Sequence, residues 1–183
     1  MQSSRLSDRR RAPLVLTLED EAATAHLGAA LGAVLEMGDV VTLYGGLGAG
    51  KSVLARAAIR SCLGDPALEV PSPTYTLVNV FERPEAPPVW HADLYRLGSQ
   101  EEVAELGLED AFEAAVCLVE WAGRLGPMTP PRRLEVTLSD LADGDWPARD
   151  GPSVVDGRRA ELLTHGDGWE RVLLALALEG ARQ

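Results

Sequence analysis

The sequence predicts an α/β fold, a mixed, mainly parallel sheet with helices on both faces, and three observations predict it. Short apolar runs alternate with helical patterns from Leu14 to Trp121, the mark of strands joined by crossover helices. Two further strand-like runs then follow one another before a closing helix, which makes the sheet a mixed one. One apolar run, Asp39 to Tyr44, passes directly into a glycine-rich segment and then into a helical one. In that order α/β proteins build an anion site on a helix N-terminus.

Leu14 to Leu18 alternates as a strand, and Asp20 and Glu21 open an Ala/Leu-rich amphipathic helix running to about Leu35. Asp39 to Tyr44, rich in β-branched residues, reads as a buried strand. Lys51 to Leu63 reads as a helix stopped by Gly64. Pro71, Pro73, Pro84, Pro87 and Pro88 set loops on either side of a strand over Tyr75 to Phe81. Val89 to Tyr95 is the next strand. Ser99 with Glu102 forms a capping pattern that opens a helix, and Leu108 to Ala114 continues helically. Val116 to Trp121 is again a buried strand. Arg133 to Leu138 and Arg158 to Leu163 are strands separated by Ala142 to Gly157, a long hairpin loop rich in Gly, Asp and Pro. A helix from about Asp167 to Gly180 closes the chain. No internal repeat or long linker is visible, so the expected organisation is a basic flexible tail over residues 1–13 and one domain over residues 14–183.

The chain has 183 residues, 46% of them hydrophobic and 25% charged, the balance of a globular protein with a real core. Apolar runs such as Val172 to Leu178 are too short to cross a bilayer. The arginines at 5, 9, 10 and 11 precede an apolar run too brief for a signal-peptide core. Cys62 and Cys117 have no spacing for a metal or disulfide framework, and a cytoplasmic protein is expected. Acids outnumber bases 28 to 17, and the resulting formal charge of −11 opposes direct binding to a phosphate backbone. The basic residues are 16 arginines and a single lysine, Lys51, which falls inside the glycine-rich segment.

That segment, Gly45-Gly46-Leu47-Gly48-Ala49-Gly50-Lys51-Ser52, matches the pattern G-x-x-x-x-G-K-[ST] at every fixed position. Its glycines let backbone N–H groups converge on phosphate oxygens without a Cβ in the way, and the following helix aims its positive end at them. Lys51 is placed to reach β- and γ-phosphates, and the Ser52 hydroxyl to ligate Mg2+, so the segment reads as a P-loop for ATP with Mg2+. The metal also needs a carboxylate from a neighbouring strand end, and two acids qualify: Asp93 after Val89 to Ala92, and Glu120 after Val116 to Val119. Sequence physics leaves open which of them binds metal and which orients water. Ser72-Pro73-Thr74-Tyr75-Thr76 is dense in hydroxyls and could sense a γ-phosphate as switch loops do; its plainer reading is a turn before a strand. His26 and His165 read as solvent or core residues. His91 shares a strand face with Asp93. Trp121 follows Glu120 directly and should lie near the nucleotide.

LYGGLGAGKS, SPTYTLVNVFE, HADLYRL, ELGLEDAF and CLVEW, in that order and at those intervals, resemble TsaE (formerly YjeE), the P-loop ATPase family of bacterial tRNA threonylcarbamoyladenosine synthesis. The likeness runs from about Leu18 to Trp121 and more loosely through Gly157-Arg158 to the last helix. It implies a P-loop NTPase-like fold, with Ser52 and Glu120 as Mg2+ ligands and Asp93 as an acid needed for hydrolysis. It further implies that Ser72 to Leu77 is a switch-like segment and that Glu21 and Arg158 flank the nucleotide. The implied partners are the homologous pair TsaB and TsaD, which transfer threonylcarbamoyl to N6 of adenosine 37 in tRNAs reading ANN codons. In that scheme the ATP cycle resets the transferase between turnovers and tRNA is met only through the complex. The chain departs from the family pattern at Gly46, where an acid is usual, at Ser52, where threonine is usual, and in the length of the 142–157 loop.

Two other functions fit a P-loop chain of this length. A small-molecule kinase needs an arginine-bearing lid, yet no arginine occurs between Gly64 and Arg83 and nothing resembles a lid. A regulatory switch without useful hydrolysis would not need both Asp93 and Glu120.

Overall fold

The computed structural model describes residues 12–73, 75–141 and 157–180. The basic tail expected over residues 1–13 lies outside them up to residue 11, as do Thr74 and residues 142–156 of the hairpin loop. Seven strands form one sheet: β1 (Leu14–Leu18), β2 (Val40–Tyr44), β3 (Val78–Arg83), β4 (Ala86–Asp93), β5 (Val116–Glu120), β6 (Arg133–Asp140) and β7 (Arg158–His165), in spatial order β1-β7-β6-β2-β5-β4-β3. The central strands β6, β2, β5 and β4 pair in parallel, and the edges are closed by antiparallel partners. Since β1 and β6 both oppose β7, five of the seven strands point one way. The mixed, mainly parallel sheet expected from the sequence is present.

The helices are α1 (Glu21–Gly32), α2 (Lys51–Leu63), α3 (Gln100–Ala104), α4 (Leu108–Ala114) and α5 (Glu170–Gly180), with a 3₁₀ segment over Ala122–Met128. The central strands alternate between two cores. Val41, Leu43, Val116 and Leu118 face one that also holds Leu27 and Leu31 of α1, Leu54 and Ile59 of α2 and Val172 and Leu176 of α5. Val40, Cys117 and Val119 face the other, with Val103 of α3 and Leu108 and Ala111 of α4. Helices therefore cover both faces. Among the described residues no helix is long and apolar enough to cross a membrane.

Several boundaries differ from the sequence expectation, each for a local reason. The first helix ends at Gly32 rather than near Leu35, because the buried Asp39 carboxylate accepts the Glu36 N–H at 2.8 Å and draws this stretch into a turn. Arg132 and Arg171 clamp the same carboxylate, fixing the start of β2 opposite the glycine loop. The strand expected over Tyr75 to Phe81 begins only at Val78: the Leu77 N–H closes a turn onto the Pro73 carbonyl at 2.6 Å and Leu77 takes φ of 64°. The strand expected over Val89 to Tyr95 is Ala86–Asp93 and includes Pro87 and Pro88, which were expected in a loop. Both prolines precede Val89, where β4 first meets β5, and lie beside a register shift against β3, so no central ladder bond is lost. Gly107, with φ of 71°, separates α3 from α4, which the sequence read as continuous. β5 stops at Glu120, one residue early, where Trp121 turns to φ of 58°.

α1 and α2 cross so closely that a Cβ on Gly28 would stand 2.3 Å from the Leu54 carbonyl oxygen, and one on Gly32 would stand 2.1 Å from that of Ala58. This contact holds α2, and with it the glycine loop, against the sheet. Gly28→Ala raises helix propensity by about 1 kcal/mol but forces the helices apart, so a net loss of about 1–3 kcal/mol is expected. Urea unfolding checks it; an unchanged or raised midpoint would contradict the packing argument.

Candidate functional site

The glycine loop leaves the carboxyl end of β2 and enters α2 at Lys51. Asp93 ends β4 and Glu120 ends β5, and the two are register partners on parallel strands. The sheet thus delivers the loop and both acids to one edge, where open α/β sheets place their ligands. Gly45 turns the chain at φ of 138°, with its Cα so close to β6 that a Cβ would fall 2.4 Å from the Leu138 carbonyl oxygen. Only glycine fits there.

Lys51 is almost fully enclosed. Its Nζ donates to the carbonyls of Gly45 and Gly46 at 2.8 and 2.6 Å and lies 3.9 Å from the centre of the Trp121 ring. Burial pushes its pKa below the usual lysine value, against the opposing pull of Glu120 and Asp93. Next along the helix, the Ser52 hydroxyl donates to Glu120 Oε2 at 2.7 Å, and Glu120 Oε1 meets His91 Nε2 at 2.9 Å. Asp93 Oδ1 accepts the Tyr95 N–H at 3.0 Å. Tyr95 and Trp121 pack ring to ring with centroids 4.8 Å apart.

These groups line a cleft of about 310 Å³ bounded by Leu47 to Val53, Asp93, Tyr95, Glu120 and Trp121. An adjoining cleft of about 420 Å³ shares Gly48, Gly50 and Val53 and is lined further by Asp20, Glu21, Ala22, Thr24 and Arg158. Arg158 Nη2 donates to the Gly48 carbonyl at 3.4 Å. The structure therefore gathers Leu47 to Ser52, Asp93, Glu120 and Trp121 around one cleft and places Glu21 and Arg158 around its neighbour, while Gly45 and Gly46 reach the site through their carbonyls on Lys51.

Leu77, the last residue of the expected switch-like segment, is tied to this edge: its carbonyl accepts the Asp93 N–H at 2.9 Å. Tyr75 is 83% exposed, with the Arg96 guanidinium 4.7 Å from its ring centre. Thr76 donates to Asn79 Oδ1 at 2.8 Å, Pro73 is buried and Ser72 is half-buried. Leu77 and Trp121 are the non-glycine residues with positive φ among those described; Trp121 lines the cleft, and Leu77 is hydrogen-bonded to the backbone of Asp93, which also lines it. Such backbone costs about 1–2 kcal/mol per residue and concentrates at functional sites.

Sequence reasoning did not single out Tyr95 as a cleft residue; its place two positions beyond Asp93 at a strand end was the available signal. His165 lies by Glu135 and His26 is exposed, away from the cleft as expected. Both thiols are held up by burial, Cys62 to about 11 and Cys117 to about 12. Inert packing residues are the result.

Ser52 and Glu120 offer paired hard oxygens, the donor chemistry Mg2+ prefers. Among the described residues no cluster of three or more His, Cys, Asp or Glu could cage a metal. The pair fits a cation whose other positions are filled by phosphate oxygens and water.

Sheet, loop and cleft together define a P-loop NTPase-like α/β protein. Within that class the chain belongs to the TsaE family: the family model described as "Threonylcarbamoyl adenosine biosynthesis protein TsaE" matches residues 18–147. It is 36% identical over 126 residues to the "tRNA threonylcarbamoyladenosine biosynthesis protein TsaE" of Rickettsia bellii (strain RML369-C), covering 69% of this chain and 86% of that one. The protein of that name from Bacillus subtilis (strain 168) is 34% identical over 146 residues, covering 79% and 85% of the two chains. A crystal structure of YdiB from Bacillus subtilis superposes with a TM-score of 0.68 at 24% identity, over 96% of this chain and 98% of the other, and shows the same fold.

Proposed function

We propose that this chain binds ATP with Mg2+ in the cleft and hydrolyses it slowly. In this reading it is an accessory to synthesis of threonylcarbamoyladenosine at position 37 of tRNA, resetting a homologous TsaB–TsaD transferase between turnovers, in the cytoplasm. The names of its relatives support the pathway. The observation that carries the chemistry is the contact of Ser52 with Glu120 at 2.7 Å beside Lys51, at the N-terminus of α2.

In this reading the backbone N–H groups from Gly46 to Ser52 hold the phosphates with the helix dipole behind them. Lys51 would exchange its two loop carbonyls for β- and γ-phosphate oxygens, and Ser52 and Glu120 would hold the cation. Bound Mg2+ would offset phosphate charge and fix the phosphate oxygens in place. Asp93, beside Glu120, orients the attacking water. Glu21 and Arg158 line the side of the loop on which the nucleoside lies. The charge of −11 opposes direct contact with tRNA, which is reached through the partners.

An arginine finger and a lid are not evident among the described residues of the cleft, so the isolated chain is expected to be slow. A partner surface could complete the site through Ser72, Pro73, Tyr75 and Thr76. ATP turnover measured alone, with the TsaB–TsaD pair and with small-molecule acceptors tests this. Stimulation by the pair is expected, and Tyr75→Ala should reduce the stimulated rate while sparing the basal one. Phosphate transfer to an acceptor would favour a kinase; binding with no turnover in any mixture would favour a switch.

Nucleotide should also change Trp121 fluorescence, because drawing Lys51 onto phosphates removes a cation 3.9 Å from the indole. Trp121→Phe should lose most of the nucleotide-dependent signal. Retention of the whole signal would place the reporting tryptophan elsewhere.

A further inference from the structure

We propose that His91 is a positioning residue that fixes the Glu120 carboxylate in the orientation the cation requires; the inference rests on the reading of Ser52 and Glu120 as cation ligands. His91 lies on β4 opposite Leu118 of β5, one side-chain repeat before Asp93 and Glu120, so its ring faces the same side of the sheet as both acids. It is fully buried, and its Nε2 stands 2.9 Å from Glu120 Oε1. A carboxylate oxygen accepts, so Nε2 carries the hydrogen. The other oxygen, Oε2, is thereby turned to Ser52 at 2.7 Å. One carboxylate oxygen is held from behind and the other is presented to the site.

The second ring nitrogen makes the case sharper. Nδ1 is buried with no hydrogen-bond partner among the described residues, so Glu120 is the one polar contact recorded for the ring. A buried polar atom without a partner opposes folding, and an apolar side chain would suit a core strand better. The histidine makes sense there through what its other nitrogen does. Among the described residues, the hydrogen bonds of the nearly buried Glu120 carboxylate run to His91 and to Ser52, and the serine would share its oxygen with a cation, which leaves the histidine to hold the carboxylate from behind. Groups that orient metal ligands in this way typically contribute 10- to 100-fold to metal affinity.

The test compares His91→Gln, whose amide N–H reaches about as far as Nε2, with His91→Met, of the same length and without a donor; His91→Phe supplies a second donor-free variant that keeps the ring volume. ADP binding to each full chain is measured by calorimetry with Mg2+ and with EDTA, and folding by circular dichroism. Donor-free variants should lose 10- to 100-fold in affinity for ADP with Mg2+, with little change in EDTA, while His91→Gln retains most of the affinity. In a Glu120→Gln background the same His91 substitutions should cost nothing further. If folded Met and Phe variants bind ADP with Mg2+ as the unaltered chain does, His91 has no positioning role, while the cation site stands. If the unaltered chain binds ADP equally with and without Mg2+, the reading of Ser52 and Glu120 falls and takes this inference with it.

Discussion

Lys51→Ala should lose tight ATP binding and keep its fold. Nζ now bonds to the carbonyls of Gly45 and Gly46 and rests on Trp121, all within reach of the loop that would cradle phosphate. Phosphates brought to this point would add to the negative charge of Glu120 and Asp93 around the ammonium, opposing the depression of its pKa by burial. Each charge-assisted hydrogen bond contributes about 1.5–3 kcal/mol. Losing contacts to two phosphates should therefore weaken ATP by about a hundredfold or more. Alanine is the best helix former, and removing a buried ammonium relieves the cost of its desolvation, so the fold should be kept. Calorimetry on a folded variant decides it, and unchanged affinity would remove the P-loop reading.

Glu120→Gln and Asp93→Asn should fail in different ways. Glu120 faces Ser52 directly, so its amide should weaken Mg2+–nucleotide by about tenfold or more while sparing free nucleotide. Asp93 lines the same cleft but is held by the Tyr95 N–H rather than by Ser52. Its amide should spare binding and slow hydrolysis by about 10²–10⁴-fold. The reverse pattern would make Asp93 the ligand. The sequence left this choice open, since both acids end apolar strands in the same way. The difference arises in three dimensions: β5 lies beside β2 and carries Glu120 to the first turn of α2, whereas β4 stands one strand further out.

What could be read in advance was whatever the backbone demands of particular residue types. Gly45 turns where no Cβ fits, Gly64 ends α2 in the left-handed conformation, and Ser99 and Glu102 cap α3 reciprocally. Continuous apolar runs marked the central strands β2 and β5 because each is buried on both faces, against two cores. The errors fell where tertiary contacts override local preference. Leucine and tryptophan rarely take positive φ, so nothing in the sequence marked Leu77 or Trp121 as chain reversals. Pro87 and Pro88 read as loop because strand prolines are tolerated only where the ladder is already broken, and the bulge against β3 is not legible in one dimension. His91 stood out only by sharing a face with Asp93; its bond crosses from β4 to β5 and reaches Glu120, 29 residues away in sequence.

In the function proposed for this chain, nucleotide bound at Lys51 drives threonylcarbamoyladenosine synthesis. Mass spectrometry of tRNA nucleosides from a strain depleted of the endogenous protein tests it directly, with either the unaltered chain or Lys51→Ala supplied at equal levels. The unaltered chain should restore the modification in ANN-reading tRNAs, and Lys51→Ala should leave it depleted. Full modification with Lys51→Ala, or undiminished modification on depletion where no second route exists, would contradict the claim.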